Sequence, residues 1–239
     1  MSTSHHDHSE RCILIIGASR GLGHAMAAEF AKRDWHTTGT VRATTARTPL
    51  HTLADANPGR IGIERLDVTR PDEIAALRDR LSDRRYDILF VNAGTANADP
   101  SQSLAQGPND EFIRVMVTNT LSPMRVVEAL QDLVAADGLI GVMTSGQGSV
   151  ANNTAGGREL YRCSKAALNS AMRSYAARHP APGRALVLMA PGWIRTELGG
   201  PDAPFGIDET IPDLVDTLLA KRGRPGLEYL DRLGRTVPW

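Results

Sequence analysis

Short apolar runs alternate with helical stretches along this chain, and no other feature restricts its fold as strongly. "CILIIG" (12–17) is a continuous apolar run ending in glycine, and helical periodicity follows in "GHAMAAEFAKRD", with Ala27, Phe30 and Ala31 on one side. "HTTGTVR" (36–42), rich in threonine, reads as a second strand and "RIGIERLDV" (60–68) as a third. The helical "PDEIAALRDRLSD" comes next with Pro71 at its start, where a missing N–H is harmless. "YDILFVNAG" (86–94) is strand-like and precedes a long helical stretch over 110–135, with a bend expected near Pro123. "GLIGVMTS" (138–145), a helix over 161–179 and "RALVLMAPGW" (184–193) repeat the strand–helix–strand order, and "LEYLDRLGRTVPW" (227–239) reads as a last strand. Apolar strands with helices between them imply a parallel sheet covered on both faces. The expected fold is α/β, a doubly wound parallel sheet flanked by helices.

A chain of 239 residues suits a single domain, expected over 11–239 behind a disordered tail at 1–10. That tail, within "MSTSHHDHSER", lacks the apolar region of a secretory signal. Its His5, His6 and His8 are read as part of a solvated terminus, and no metal site is expected. With 27 basic and 27 acidic side chains the net charge is zero, which favours neither nucleic acid nor an anionic membrane as partner. No apolar run approaches the roughly 18 residues of a membrane span. Cys12 and Cys163 are too few for a disulfide framework, so a reducing, cytoplasmic setting is the expectation.

Doubly wound sheets bind ligands beyond the carboxyl ends of their strands. Those ends here carry Gly17, Arg42, Asp67, Asn92, Ser145 and Pro191. "GASRGLG" (17–23) has the strand–loop–helix setting of a Rossmann-type dinucleotide site. Gly17, Gly21 and Gly23 let the backbone turn tightly and approach a ligand, and the N–H groups of the helix start suit a pyrophosphate. At the end of the second strand a carboxylate would repel a 2′-phosphate, yet no acid stands between 35 and 53. Arg42 follows that strand and Arg20 in the glycine loop reaches towards the same phosphate, whereas Arg47 is read as a solvated surface charge. Charge-assisted hydrogen bonds contribute about 1.5–3 kcal/mol each. Two arginines therefore set a preference for NADP(H), with NAD(H) second. Tyr161 and Lys165, four apart, share one helix face.

Taken in order, these motifs resemble those of the short-chain dehydrogenase/reductase family over nearly the whole chain. "GASRGLG" is similar to the family's cofactor loop, which implies cofactor contacts from Gly17, Ser19, Arg20, Gly21, Leu22 and Gly23; Ile16 replaces the usual threonine before it. "LDVT" resembles the segment that faces the adenine, here Asp67 and Val68, and "NAG" (Asn92, Ala93, Gly94) the segment beside the cofactor. "APGWIRT" resembles the turn holding the nicotinamide end, which implies Pro191, Gly192, Trp193, Ile194 and Thr196. Asn119 in "MVTNTLSP", Ser145 in "MTSGQGS", then Tyr161 and Lys165 match the catalytic tetrad in order. "SGQGSVANN", "YRCSKAALN" and "RLGRTVPW" are similar to the small carbonyl-reductase and C-signal-like branch, whose members span metabolic reductases and developmental signalling proteins.

The resemblance implies hydride transfer between a nicotinamide and a small carbonyl or alcohol substrate, with Tyr161 as general acid or base. A phenol pKa of about 10 is too high for work near neutrality, and the Lys165 ammonium is expected to lower it and to bind the nicotinamide ribose. Ser145 would orient the substrate oxygen, and Asn119 would hold a water linking Lys165 to solvent. Ser145 precedes Tyr161 by 16 positions, a little more than family custom, and Ser149 is the competing candidate. Trp193, Ile194 and "GGPDAPFGIDETIPD" are expected to form a substrate flap over about 193–213, with Phe205 helping to close an apolar pocket. Its prolines and glycines argue against one continuous helix. Helices over 110–135 and 161–179 correspond to those that pair between subunits in the family, implying a homodimer or homotetramer. The alternative is a dinucleotide-binding regulatory or signalling protein with little turnover.

Overall fold

The computed structural model describes residues 10–42, 46–180 and 183–239. The strands are β1 (Cys12–Ile16), β2 (His36–Val41), β3 (Ile61–Arg65), β4 (Tyr86–Val91), β5 (Val134–Met143), β6 (Ala185–Ala190) and β7 (Gly226–Asp231). They form one sheet in the order β3-β2-β1-β4-β5-β6-β7, every neighbouring pair parallel. The chain winds outward from β1 to β3, returns to β4 on the other side, and continues to β7. The winding direction therefore reverses between β1 and β4, where an open α/β sheet leaves a crevice.

The helices are α1 (Gly21–Lys32), α2 (Pro49–Ala56), α3 (Pro71–Arg80), α4 (Asn109–Met116), α5 (Ser122–Leu130), α6 (Glu159–Arg178) and α7 (Ile207–Arg222). Successive strand residues face opposite sides of a sheet, and the core divides accordingly. Leu14, Ile16, Leu89 and Val91 pack against α3, α5 and α6 through Ile74, Leu77, Val126, Leu130, Leu168 and Met172. Ile13, Ile15, Ile88 and Phe90 pack against α1, α2 and α7 through Met26, Phe30, Leu50, Leu214 and Leu218. Both faces are covered, as the unbroken apolar strands require. Among the described residues no helix is long and apolar enough to cross a membrane.

Several elements differ from the sequence expectation. Of the tail at 1–10, only Glu10 lies within the described residues. Helix α2, capped by Thr48 and opened by Pro49, occupies a stretch with no strong periodicity. The helical stretch over 110–135 is four pieces: α4, a π turn at Val117–Leu121, α5 and a 3-10 turn at Gln131–Leu133. The break precedes Pro123, which sits harmlessly in the first turn of α5, and β5 already begins at Val134. The expected flap over 193–213 ends early, because residues from Ile207 belong to α7. Pro212 lies inside that helix, where its missing N–H removes one backbone bond. Burial of Ile211, Leu214, Val215 and Leu218 against the sheet holds the helix together regardless.

The glycine loop fixes where α1 starts. A Cβ on Gly23 would stand 2.1 Å from the Gly17 carbonyl oxygen and 2.6 Å from Asn92 Nδ2. Gly23→Ala is expected to destabilise the fold by about 1–3 kcal/mol, as overpacking does elsewhere, and to lower the urea midpoint. An unchanged midpoint would show that α1 can slide away from β4.

Candidate active site

At the β1–β4 crevice, the Gly17 N–H donates to Thr40 Oγ1 at 2.8 Å and the Ala18 N–H to the Thr40 carbonyl at 2.9 Å. Asn92 Nδ2 donates to the Gly17 carbonyl at 2.7 Å. Gly17 has φ +89° and a Cβ there would meet the Ala93 nitrogen at 2.9 Å, so a side chain is excluded twice over. Gly21, at φ +58°, has nothing within 4 Å of its absent Cβ. No other part of the described chain crowds the start of α1 at that point. The first turn of α1 holds no acid and Arg20 provides no side-chain cap, so its N–H groups remain for an anion.

Arg20 forms an ion pair with Glu197 of the loop after β6, with side chains 58% and 73% exposed. An exposed pair contributes about 1 kcal/mol or less, so a phosphate can displace it. Arg42 is exposed at the end of β2, and no ion pair among the described residues includes it. Arg47 pairs with Asp55, in keeping with a surface charge. The Asp67 carboxylate accepts from the Thr69 N–H and hydroxyl at 2.9 and 2.7 Å, holding the turn that carries the buried Val68. A loop with this clearance, a bare helix start and two nearby guanidiniums fits a dinucleotide bearing an extra phosphate.

After β6, Pro191 and Gly192 (φ +101°) lead into a turn closed on itself. Arg195 N–H donates to the Phe205 carbonyl at 2.9 Å, Trp193 Nε1 to the Gly199 carbonyl at 2.6 Å, and Gly199 N–H to Thr196 Oγ1 at 3.0 Å. Ile194 is buried, whereas Trp193 is 50% exposed. Phe205 lies under the Arg232 guanidinium, 4.0 Å from ring centre to Cζ, and beside Gly192. It packs the turn after β6.

The four candidate catalytic residues come from three segments: the π turn, the loop after β5 and α6. Asn119 sits on the π turn, where an extra residue per turn redirects the side chain. Its Nδ2 donates to the Thr95 carbonyl at 2.8 Å and to Ser164 Oγ at 2.9 Å, and its Oδ1 accepts the Thr95 N–H at 2.8 Å. The amide is first a brace between the loop after β4 and α6; one lone pair of Oδ1 is left for a water. Ser145 ends the segment after β5, its Oγ accepting the Gln147 N–H at 3.1 Å. Ser149 is buried instead in a turn, accepting the Asn152 N–H at 3.1 Å and donating to the Trp239 carbonyl at 3.5 Å.

Lys165 is buried, with Nζ donating to the Met143 carbonyl at 2.9 Å and lying 5.8 Å from the Tyr161 ring centre. Gly94 faces both Lys165 Nζ and Asn119 Oδ1, each 3.4 Å from where a Cβ would stand. Burial pushes the Lys165 pKa down to about 8. Burial also pushes the Tyr161 phenol up, and what opposes it is the Ser145 hydroxyl and the Arg158 charge.

Residues absent from the sequence expectation complete the site. Tyr229 on β7 donates its hydroxyl to the Ser145 carbonyl at 2.5 Å, and burial holds its pKa up at about 12. Asn169 accepts from Thr144 Oγ1 at 2.6 Å and donates to the Gly148 carbonyl at 3.2 Å, fixing both flanks of Ser145. Trp239 packs edge-on against Tyr229, ring centres 5.7 Å apart, while its carbonyl accepts the Ala151 N–H at 2.9 Å. Alternation along β7 places Tyr229 on the α6 side, but only the strand order reveals that it meets Ser145.

A family model described as Enoyl-(Acyl carrier protein) reductase matches residues 17–212. A crystal structure from Burkholderia multivorans, described as a short-chain dehydrogenase/reductase with bound NADP, is 64% identical. It superposes with a TM-score of 0.95 over 96% of this chain and 100% of that one. A carbonyl reductase from Pseudomonas aeruginosa PAO1 in complex with NADP is 31% identical, with a TM-score of 0.89 over 97% of this chain and 100% of that one. The C-signal protein of Myxococcus xanthus is 34% identical over 157 residues, 64% of this chain and 92% of that protein.

The buried ammonium leaves a thermodynamic signature. Lys165 titrates near 8 when folded, against 10.5 ordinarily. Between those values the unfolded chain holds a proton that the folded one has released, so stability rises with pH across the window. Relative to Lys165→Met, the wild type is expected to gain up to about 3 kcal/mol on crossing it. Urea unfolding of both proteins through that range checks this, and parallel pH curves would contradict it.

Proposed function

The chain belongs to the short-chain dehydrogenase/reductase family of oxidoreductases, and we propose that it is NADP(H)-dependent and moves a hydride between the nicotinamide and a carbonyl or alcohol carbon. One observation carries this proposal: Tyr161 and Lys165 lie buried one turn apart on α6, at the edge of a parallel sheet where Ser145 follows β5. The proposed choice of NADP(H) is supported by Arg20 and Arg42 around the glycine loop and by the NADP in two similar structures.

The cradle formed by Gly17, Ser19, Arg20, Gly21, Leu22 and Gly23 would hold the pyrophosphate, with Arg42 at the 2′-phosphate. Asp67, Val68, Asn92, Ala93 and Gly94 would line the adenosine and ribose side, and residues 191–196 the nicotinamide side. Bound there, the dinucleotide supplies or takes up the hydride. Ser145 would donate to the substrate oxygen and aim it at Tyr161. A phenol whose pKa is raised by burial stays protonated at neutral pH, which is the form that gives a proton to the developing alkoxide. Lys165 retains N–H donors beyond its bond to Met143, directed to where Gly94 leaves the backbone open. Asn119 would hold the loop and the water that returns protons to Lys165. The flap, reduced to 193–206, would cover the substrate with Trp193. Phe112, Ile113 and Leu121 stand 42%, 58% and 43% exposed along α4 and the π turn, which supports pairing into a homodimer or homotetramer. A cytoplasmic setting belongs to the same proposal.

The similarity to most of the C-signal protein favours a second reading, a dinucleotide-binding signalling protein with little turnover. Tyr161→Phe separates the two. It is expected to bind NADPH as the wild type does, followed by nicotinamide fluorescence, and to lose about 10²- to 10⁴-fold in carbonyl reduction. NADPH is expected to bind at least about tenfold more tightly than NADH. Binding of neither nucleotide would sink the proposal, and a cellular phenotype that survives Tyr161→Phe would shift it to the signalling role.

A further inference from the structure

Three consecutive residues lead into α6 in left-handed backbone: Gly156 at φ +64°, Gly157 at φ +67° and Arg158 at φ +51°. Glycine adopts that region freely, whereas a side chain is sterically penalised there. The third position nonetheless carries an arginine, so its side chain has work that the backbone alone does not require.

The Arg158 guanidinium carbon lies 5.4 Å from the centre of the Tyr161 ring. The turn beneath it is fixed, because the Arg158 N–H donates to the Pro100 carbonyl at 3.2 Å in the loop after β4. Arg158 Nε is buried, and among the described residues no hydrogen bond or ion pair includes this side chain. The adjacent carboxylate, Glu159, is directed away, accepting the Leu104 N–H at 2.8 Å. Arg162 donates to the Gly157 carbonyl at 2.8 Å and adds a second cation to the same turn. A buried cationic N–H left unpaired is costly, and here it stands beside the phenol that the proposed reaction uses.

We propose that Arg158 binds a carboxylate carried by the substrate, so that the preferred substrates are aldehydo or keto acids. This rests on the reductase reading above. The carboxylate takes no part in the bond changes: the carbonyl carbon gains the hydride, its oxygen gains the Tyr161 proton, and the C=O double bond becomes C–O–H. Arg158 sets which carbonyl compound is held and how it is turned.

The test compares 4-carboxybenzaldehyde with its neutral methyl ester, reduced with NADPH by the wild type, Arg158→Ala, Arg158→Lys and Arg158→Gly. The glycine variant suits the left-handed backbone and guards against misfolding of the alanine one. In the wild type, kcat/KM is expected to favour the acid by about ten- to a hundredfold, the range of a charge-assisted hydrogen bond. That ratio should fall towards one in the alanine and glycine variants, mainly through KM for the acid, and lie between in the lysine variant. Benzoate binding to the NADPH-loaded protein, followed by tryptophan fluorescence, should weaken by a similar factor. A wild-type ratio of one, or equal losses on both aldehydes, would overturn the proposal and leave Arg158 as packing on Tyr161. If NADPH binds but neither aldehyde is reduced, the reductase reading fails, and the benzoate titration still decides Arg158: equal binding to wild type and variants overturns the assignment, weaker binding to the variants upholds it.

Discussion

The hydrogen bond from the Asn92 amide to the Gly17 carbonyl, 2.7 Å long, ties together the ends of β1 and β4 where the winding of the sheet reverses. The Asn92 and Ala93 N–H groups both donate to the Ile16 carbonyl at 2.9 Å, so the clamp has a main-chain part as well. Gly23 presses α1 onto it, and Gly94 leaves the next step open for Lys165 and Asn119. Parallel strands spend their backbone groups on their neighbours and are covered on both faces, so free polar groups accumulate just beyond the last ladder bond. The cradle, the π turn and α6 all take their positions from that edge.

Burial decides the electrostatics beyond it. Lys165 and Tyr161 are both desolvated, and each is pushed towards its neutral form, the lysine downward and the phenol upward. The ammonium is accommodated by one main-chain carbonyl and no carboxylate among the described residues. A carboxylate partner would stabilise the fold more, yet would also hold the proton on the lysine and cancel the positive field. The fold retains a group it would be more stable without, as sites that perform chemistry do.

Ser145 shows how much a single hydroxyl depends on distant chain. Its carbonyl is held by Tyr229 from β7, its flanks by Asn169 from α6, and the loop after it by the Trp239 carbonyl. Ser149, similar in type and only four residues on, is consumed by that bracing. In the chain alone the two differ only in that Ser145 ends an apolar strand. What distinguishes them physically is that the Ser149 hydroxyl is tied to both Asn152 and Trp239, whereas the Ser145 hydroxyl only accepts the Gln147 N–H among the described residues.

The sheet, the glycine loop and the helical pairing of Tyr161 with Lys165 are legible in the chain, because each follows from periodicity or chirality within a few residues. Continuous apolar strands, glycine at φ values closed to other residues, and a spacing of four on a helix are local facts. Tertiary structure decided the rest. Helix α2 exists because Leu50 has a core to enter, and α7 continues through Pro212 because four apolar side chains reach the sheet. The break in the long helix falls at Asn119, away from Pro123, because the Asn119 amide bonds to Thr95 and Ser164 on two other segments. Tyr229 and Arg158 became part of the site only when β7 and the turn before α6 were set beside Ser145 and Tyr161. Contacts between segments distant in sequence depend on strand order and packing, and no local pattern carries them.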